Sequence, residues 1–115
     1  MSHPNAEITL KFISDTIASG TTSAEIDLKG GTLASLITPA SIASTSYTIT
    51  FSDVSGGTFV TLCNPDTGTA YTGVVASSKG YTFTPAVTLG IRYIKFVFGS
   101  SETTKTFKYG LRSID

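Results

Sequence analysis

The feature that most limits how this chain can fold is a period of two. From Ala6 onward, apolar and polar side chains alternate in short runs, and each run stops at a cluster of Gly, Pro, Asn, Asp or Ser. In 6–12, Ile8, Leu10 and Phe12 share one face while Glu7, Thr9 and Lys11 share the other. A strand with that pattern buries one side, so Ile8, Leu10 and Phe12 are expected to meet the core. Residues 14–22 interrupt the alternation with Ser, Asp and Gly and read as a loop. Ala24, Ile26 and Leu28 then alternate with Glu25, Asp27 and Lys29 up to a tight turn or bulge at Gly30-Gly31, and a more apolar strand follows over 32–38.

The next run is the cleanest. Tyr47, Ile49 and Phe51 alternate with Ser46, Thr48, Thr50 and Ser52, and the turn residues 53–57 close it. A strand over 58–63 leads into 64–68 (NPDTG), where Pro65 presets φ, Asp66 caps the turn and Gly68 accepts positive φ. That sequence predicts a hairpin into 69–75. A short strand over 81–84 ends at Pro85. Residues 91–98 (IRYIKFVF) are apolar on both faces, so this strand belongs in the middle of a sheet, with its second face under a loop, a terminus or another subunit. Residues 99–103 turn the chain, and Lys105, Phe107, Tyr109 and Leu111 oppose Thr106, Lys108, Gly110 and Arg112 in a last strand. About nine short strands with no helical period of useful length predict an all-β, single-domain antiparallel β-sandwich of jelly-roll type. Residues 6–115 form that domain and 1–5 a flexible N-terminal tail.

The surface of such a sheet has to be polar, and here hydroxyls supply the polarity. The chain has 20 Thr and 15 Ser, but only 14% of its residues are charged, and eight basic side chains balance eight acidic ones. No field is available to attract nucleic acid or an anionic membrane, so neither is an expected partner. No run approaches the roughly 20 apolar residues of a spanning helix, and no apolar leader opens the chain. Arg92 and Lys95 lie on opposite faces of their strand and cannot form one basic stripe. Lys95, midway along an apolar strand, is expected to snorkel to a rim, pair with a carboxylate or lie against another subunit.

Reactive residues are sparse. His3, the single histidine, sits in the tail, so a Ser/His/Asp or Cys/His arrangement lacks a base on a rigid element. Cys63 is the single cysteine, which excludes an internal disulfide and a thiolate pair for zinc, and its place at a strand end reads as a packed small hydrophobe. Asp15, Asp53, Asp66 and Glu102 fall in expected turns, where carboxylates cap the backbone. The glycine pairs at 30–31 and 56–57 lack phosphate-loop spacing. No catalytic residue, metal ligand or cofactor site is expected, and the chain is not expected to be an enzyme. Tyr47, Tyr71, Tyr81, Tyr93 and Tyr109 could form a sugar-stacking platform, although their apolar neighbours favour packing in a core or an interface.

Taken in order, Ala24-Glu25-Ile26-Asp27-Leu28-Lys29-Gly30-Gly31, Leu33 with Ile37-Thr38-Pro39, Tyr47-Thr48-Ile49-Thr50-Phe51-Ser52-Asp53 and Arg92-Tyr93-Ile94-Lys95-Phe96 form a pattern that resembles small β-sandwich virion proteins of tailed phages. The resemblance runs over residues 23–112 and rests on strand and turn patterns. The Arg92–Phe96 strand also resembles those of discoidin-like and carbohydrate-binding jelly rolls. The phage resemblance implies a capsid decoration protein of the cement or staple type. Such a protein binds the outer surface of the assembled head, bridges major capsid subunits and self-associates as a homodimer or homotrimer. It implies folding in the host cytoplasm and a final location on the virion. Pro4, Asn5, Tyr93, Lys95 and Val97 are the candidate interface residues. The alternatives are a glycan-binding module for host attachment, or a head–tail connector or tail component.

Overall fold

Two long strands carry the architecture of the computed structural model, which describes residues 8–114. The strands are β1 (Ile8–Thr22), β2 (Ile26–Asp27), β3 (Thr32–Ile37), β4 (Ser46–Ser52), β5 (Val60–Thr61), β6 (Thr72–Val74), β7 (Gly80–Thr82) and β8 (Tyr93–Ile114), with a 3-10 turn at Pro85–Val87. The expected tail at 1–5 lies outside the described residues. The chain is all-β and antiparallel, as the alternation predicts, but its strands are not divided between two sheets. All eight belong to a single sheet in the order β5-β4-β8-β3-β7, with β1 and β2 on the other side of β8 and β6 beside β4. The sheet curls on itself as a half-barrel, in place of the expected jelly roll.

The reason is β8, which is 22 residues long and forms the spine. The expected turn at 99–103 is instead a corner within one strand. On one side of the corner Tyr93–Phe98 pairs with β4, from Ser52↔Tyr93 to Tyr47↔Phe98. On the other, Glu102–Ile114 pairs with β1, from Gly20↔Glu102 to Ile8↔Ile114, and β3 lies along 108–112. At the corner the β1 register jumps from Gly20↔Glu102 to Thr22↔Val97, so residues 98–101 of β8 oppose the single Thr21. This bulge bends the ribbon. Its three surplus residues are an odd number, so the inward-facing parity of β8 reverses across it: Ile94, Phe96 and Phe98 are buried before the corner, Phe107 and Tyr109 after it. The two arms then face each other, with ring centroids 4.4 Å apart for Phe98 and Phe107 and 4.9 Å for Phe96 and Tyr109. Ile26, Leu28, Leu33, Leu36, Tyr47 and Ile49 complete the core between them.

The corner is pinned by Glu102, only 1% exposed. Its carboxylate accepts hydrogen bonds from the backbone N–H of Ala43 (3.0 Å) and Ser44 (2.7 Å) and from the Ser44 hydroxyl. The Ser44 Oγ in turn accepts from Ser100 N–H at 3.2 Å. The loop between β3 and β4 is thereby fastened to the outside of the bend. Burial alone would raise the Glu102 pKa, but the hydrogen bonds from Ala43 and Ser44 outweigh it and hold the carboxyl below its ordinary range.

Three other expectations change. Residues 14–22 are strand, because the β8 ladder satisfies their backbone and overrides the local loop tendency; Thr16 and Thr106 hydroxyls meet across it at 2.7 Å. The inward face of β1 carries Ile13 and Ile17, while Leu10 and Phe12 are 55% and 46% exposed, opposite to the assignment from alternation. Cys63 is exposed on the hairpin between β5 and β6, not packed. The turns predicted at 30–31 and 64–68 hold: Gly31 N–H donates to Leu28 O at 2.8 Å around Lys29 and Gly30, both at positive φ, and Gly68 N–H donates to Asn64 O at 2.8 Å.

Candidate binding surface

The sequence points to the second face of the 91–98 strand, and the fold places Tyr93, Lys95 and Val97 there together, each half-buried. Their alternation with Ile94, Phe96 and Phe98 puts them on the outside of the curled sheet, flanked by β2 on one side and β4 on the other. Pro4 and Asn5 lie outside the described residues.

The cover over this face comes from the same chain. After β4 the loop 53–59 folds back so that Lys95 Nζ stands 4.5 Å from the centroid of the Phe59 ring, a cation–π contact. That loop is held by Glu25, which accepts hydrogen bonds from Gly56 N–H (2.7 Å) and Ser55 Oγ (2.6 Å). Those two bonds, Gly56 first, keep the Glu25 carboxyl below its ordinary pKa, and the nearby Lys95 charge adds to the effect. Thus Lys95 finds an aromatic face and a carboxylate in its neighbourhood.

At the end of the same strand Arg92 forms a two-pronged ion pair with Asp27, 3.0 Å from Nε and 3.3 Å from the second nitrogen. The guanidinium also stands 5.1 Å from the centroid of the Tyr93 ring. The Arg92 hydrogen bond, aided by Lys29 N–H, holds the Asp27 carboxyl below its ordinary range. Two open depressions flank the Leu28–Gly31 turn beside this pair. One, of about 600 Å³, is lined by Lys29, Phe51, Asp53, Ile91 and Arg92; the other, of about 340 Å³, by Lys29, Thr32, Pro85, Leu89 and Arg112. Both are open hollows whose lining mixes charged groups with apolar side chains, Phe51 and Ile91 in the first and Pro85 and Leu89 in the second.

Neither depression contains Cys63, which stands on the β5–β6 hairpin with its thiol 3.7 Å from Thr61 O and lines a third hollow with Tyr71, Leu89 and Ile91. Among the described residues no three His, Cys, Asp or Glu side chains gather as a metal site. The turn carboxylates instead bind backbone: Asp15 accepts from Ala24 N–H at 3.1 Å, and Glu102 is consumed by the corner. Glu102 is the functional surprise among them, since nothing in its position marks a residue expected in an exposed turn as buried. The tyrosines do not form one row. Tyr47 and Tyr109 are in the core, with Tyr47 packed between Tyr71, Phe83 and Phe96, and Tyr71, Tyr81 and Tyr93 are half-buried at separate places. Burial, with Tyr71 beside it, raises the Tyr47 pKa well above that of a free phenol.

Several large apolar side chains are exposed, Leu89 among them at the rim of the second depression. Val54, Val60 and Val74 are exposed in or beside β5 and β6, and Leu10, Phe12 and Ile37 on the outer side of the arm made by β1, β8 and β3. Sequence alternation missed the second group by assigning Leu10 and Phe12 to the core.

No protein-family model matches the chain, and no curated protein matches it by sequence. Among solved structures, the fold is similar to that of the SPBc2 prophage-derived protein YomS, with a TM-score of 0.63 over 97% of this chain and 100% of that one. Only 13% of the aligned residues are identical, so what the two proteins share is the curled antiparallel fold over their full lengths.

Proposed function

We propose that this protein is a phage virion component that decorates the outside of the assembled head and stabilises it by bridging major capsid subunits. The observation that carries the reading is the whole-length fold likeness to a prophage-derived protein. The strand and turn pattern that resembles tailed-phage virion proteins points the same way. In this reading the domain folds in the host cytoplasm, and its work is adhesion by repeated weak contacts across a symmetric lattice. A protein that binds only the mature lattice favours it by RT ln(1 + [L]/Kd) at each site. The exposed valines at 54, 60 and 74 supply apolar contact for the capsid, while Lys95, whose ammonium stands against the Phe59 ring, helps to keep that loop in place.

The test is to add purified protein to bare heads of the phage that encodes it. Saturable binding, together with a rise in the temperature at which the heads release DNA, is expected. Heads that bind no protein, or bind it with no gain in heat resistance, would refute the decoration role.

A further inference from the structure

Across its 15 residues, β1 pairs only with β8, and no other described strand lies along its second side. Sheets usually blunt such an edge with a bulge, a proline or a very short strand. Here the register against β8 is constant from Ile8 to Gly20, and the strand contains no Pro. Beside this flat edge, on the outer face, lie the exposed Leu10 and Phe12.

We infer that β1 pairs antiparallel with β1 of a second copy about a two-fold axis at Ile13, extending both sheets into one. The charges select this register. Lys11 is the edge's cation and Asp15 its anion, and they lie on the same face, four positions apart. An axis at Lys11 sets two ammonium groups against each other, and an axis at Asp15 sets two carboxylates together. An axis at Ile13 places Lys11 of each copy directly opposite Asp15 of the other, at the Cβ spacing of about 5 Å typical of cross-strand neighbours. Asp15 is half-buried and its Oδ2 accepts from Ala24 N–H, which leaves Oδ1 to take the contact. On the outer face the same register sets Phe12 opposite Ser14 and brings the two Phe12 rings into diagonal reach across the seam, covering apolar surface that is exposed in the single chain. The occupant of the edge is therefore another copy of this chain, and the inference stands whatever the assembled protein attaches to.

The register gives the experiment. Solution mass of the full chain is measured by light scattering over a concentration series, for the native protein and for two variants, Lys11→Glu and Asp15→Lys. The native chain is expected to be a dimer. Each variant alone sets like charges opposite one another twice and is expected to dissociate at least about tenfold more readily. Mixed in equal amounts, the two variants present complementary pairs at both positions and are expected to recover a dimer. Circular dichroism checks that each is folded, and Lys11, being exposed, is the safer of the two. A native chain that is monomeric throughout overturns the inference. So does a dimer unaffected by Lys11→Glu, or two folded variants that stay monomeric when mixed.

Discussion

β1 and β8 run side by side through the same ribbon, yet they have opposite fates. β8 has neighbours on both edges and supplies Ile94, Phe96, Phe98, Phe107 and Tyr109 to the core, each at most 2% exposed. Among the described residues β1 has one neighbouring strand, and Leu10 and Phe12 face outward while Ile13 and Ile17 face the core. Apolar and polar side chains alternate in residues 8–12 of β1 and in 105–112 of β8 alike. The difference shows that alternation sorts side chains into two faces, whereas the strand's place in the sheet decides which face is buried and how deeply.

That contrast can be broken most directly at two phenylalanines. Phe107→Ala, which empties a fully buried site stacked on Phe98, is expected to cost about 3–5 kcal/mol in urea unfolding. The comparison fails if the loss is under about 1 kcal/mol. Next in size is the clasp at the β8 corner. Glu102→Gln leaves too few acceptor sites for Ala43 N–H, Ser44 N–H and the Ser44 hydroxyl, and is expected to cost about 2–3 kcal/mol at neutral pH.

The same clasp has a pH signature. The Glu102 pKa is lowered in the folded chain from an ordinary value of 4.5, so its contribution is complete above that pH. It is lost as pH falls below 4.5 through the folded value, because the unfolded chain takes up the proton first. Thermal unfolding followed from pH 6 to pH 3 (about the carboxylate range) should therefore decline less steeply in Glu102→Gln than in the native chain. An equal decline would assign acid sensitivity to other carboxylates.

Smaller effects sharpen the picture. Thr104, just beyond the corner, is β-branched at a φ of 48°, a conformation that favours glycine. Thr104→Gly is expected to be neutral or to raise stability by about 1 kcal/mol or less, read as a higher melting temperature. A marked loss would mean that the threonine side chain holds the bend. The smallest change is expected on β1. Phe12→Ala, at concentrations where the chain is monomeric, should cost no more than about 1 kcal/mol, since nearly half of that side chain is already in water.

Much of the local structure is legible without coordinates. The Tyr47–Phe51 alternation is strand β4 with Tyr47 and Ile49 inward, and the glycines at 30 and 68 stand at positive φ in the expected turns. The double apolar face of 91–98 does mark a central strand, and its second face is partly covered by a loop, as Phe59 on Lys95 shows. Less legible were the features made by distant partners. Residues 14–22 become strand because residues 97–108 lie beside them, Glu102 is buried because a loop some 60 positions earlier in the chain brings its N–H groups there, and Cys63 is exposed because its hairpin runs off the sheet.

Sequence alone therefore determined the all-β class, the turns and the sorting of side chains into two faces, since these follow from a residue's own φ preference and the period of an extended backbone. Tertiary structure alone decided that the strands form one curled sheet, that Leu10 and Phe12 face outward and that, among the described residues, β1 pairs with β8 alone. The physical reason lies in the β8 corner. Three surplus residues there reverse which face looks inward, and a bulge of that kind is set by pairing between segments almost 80 positions apart, which neighbouring residues do not encode.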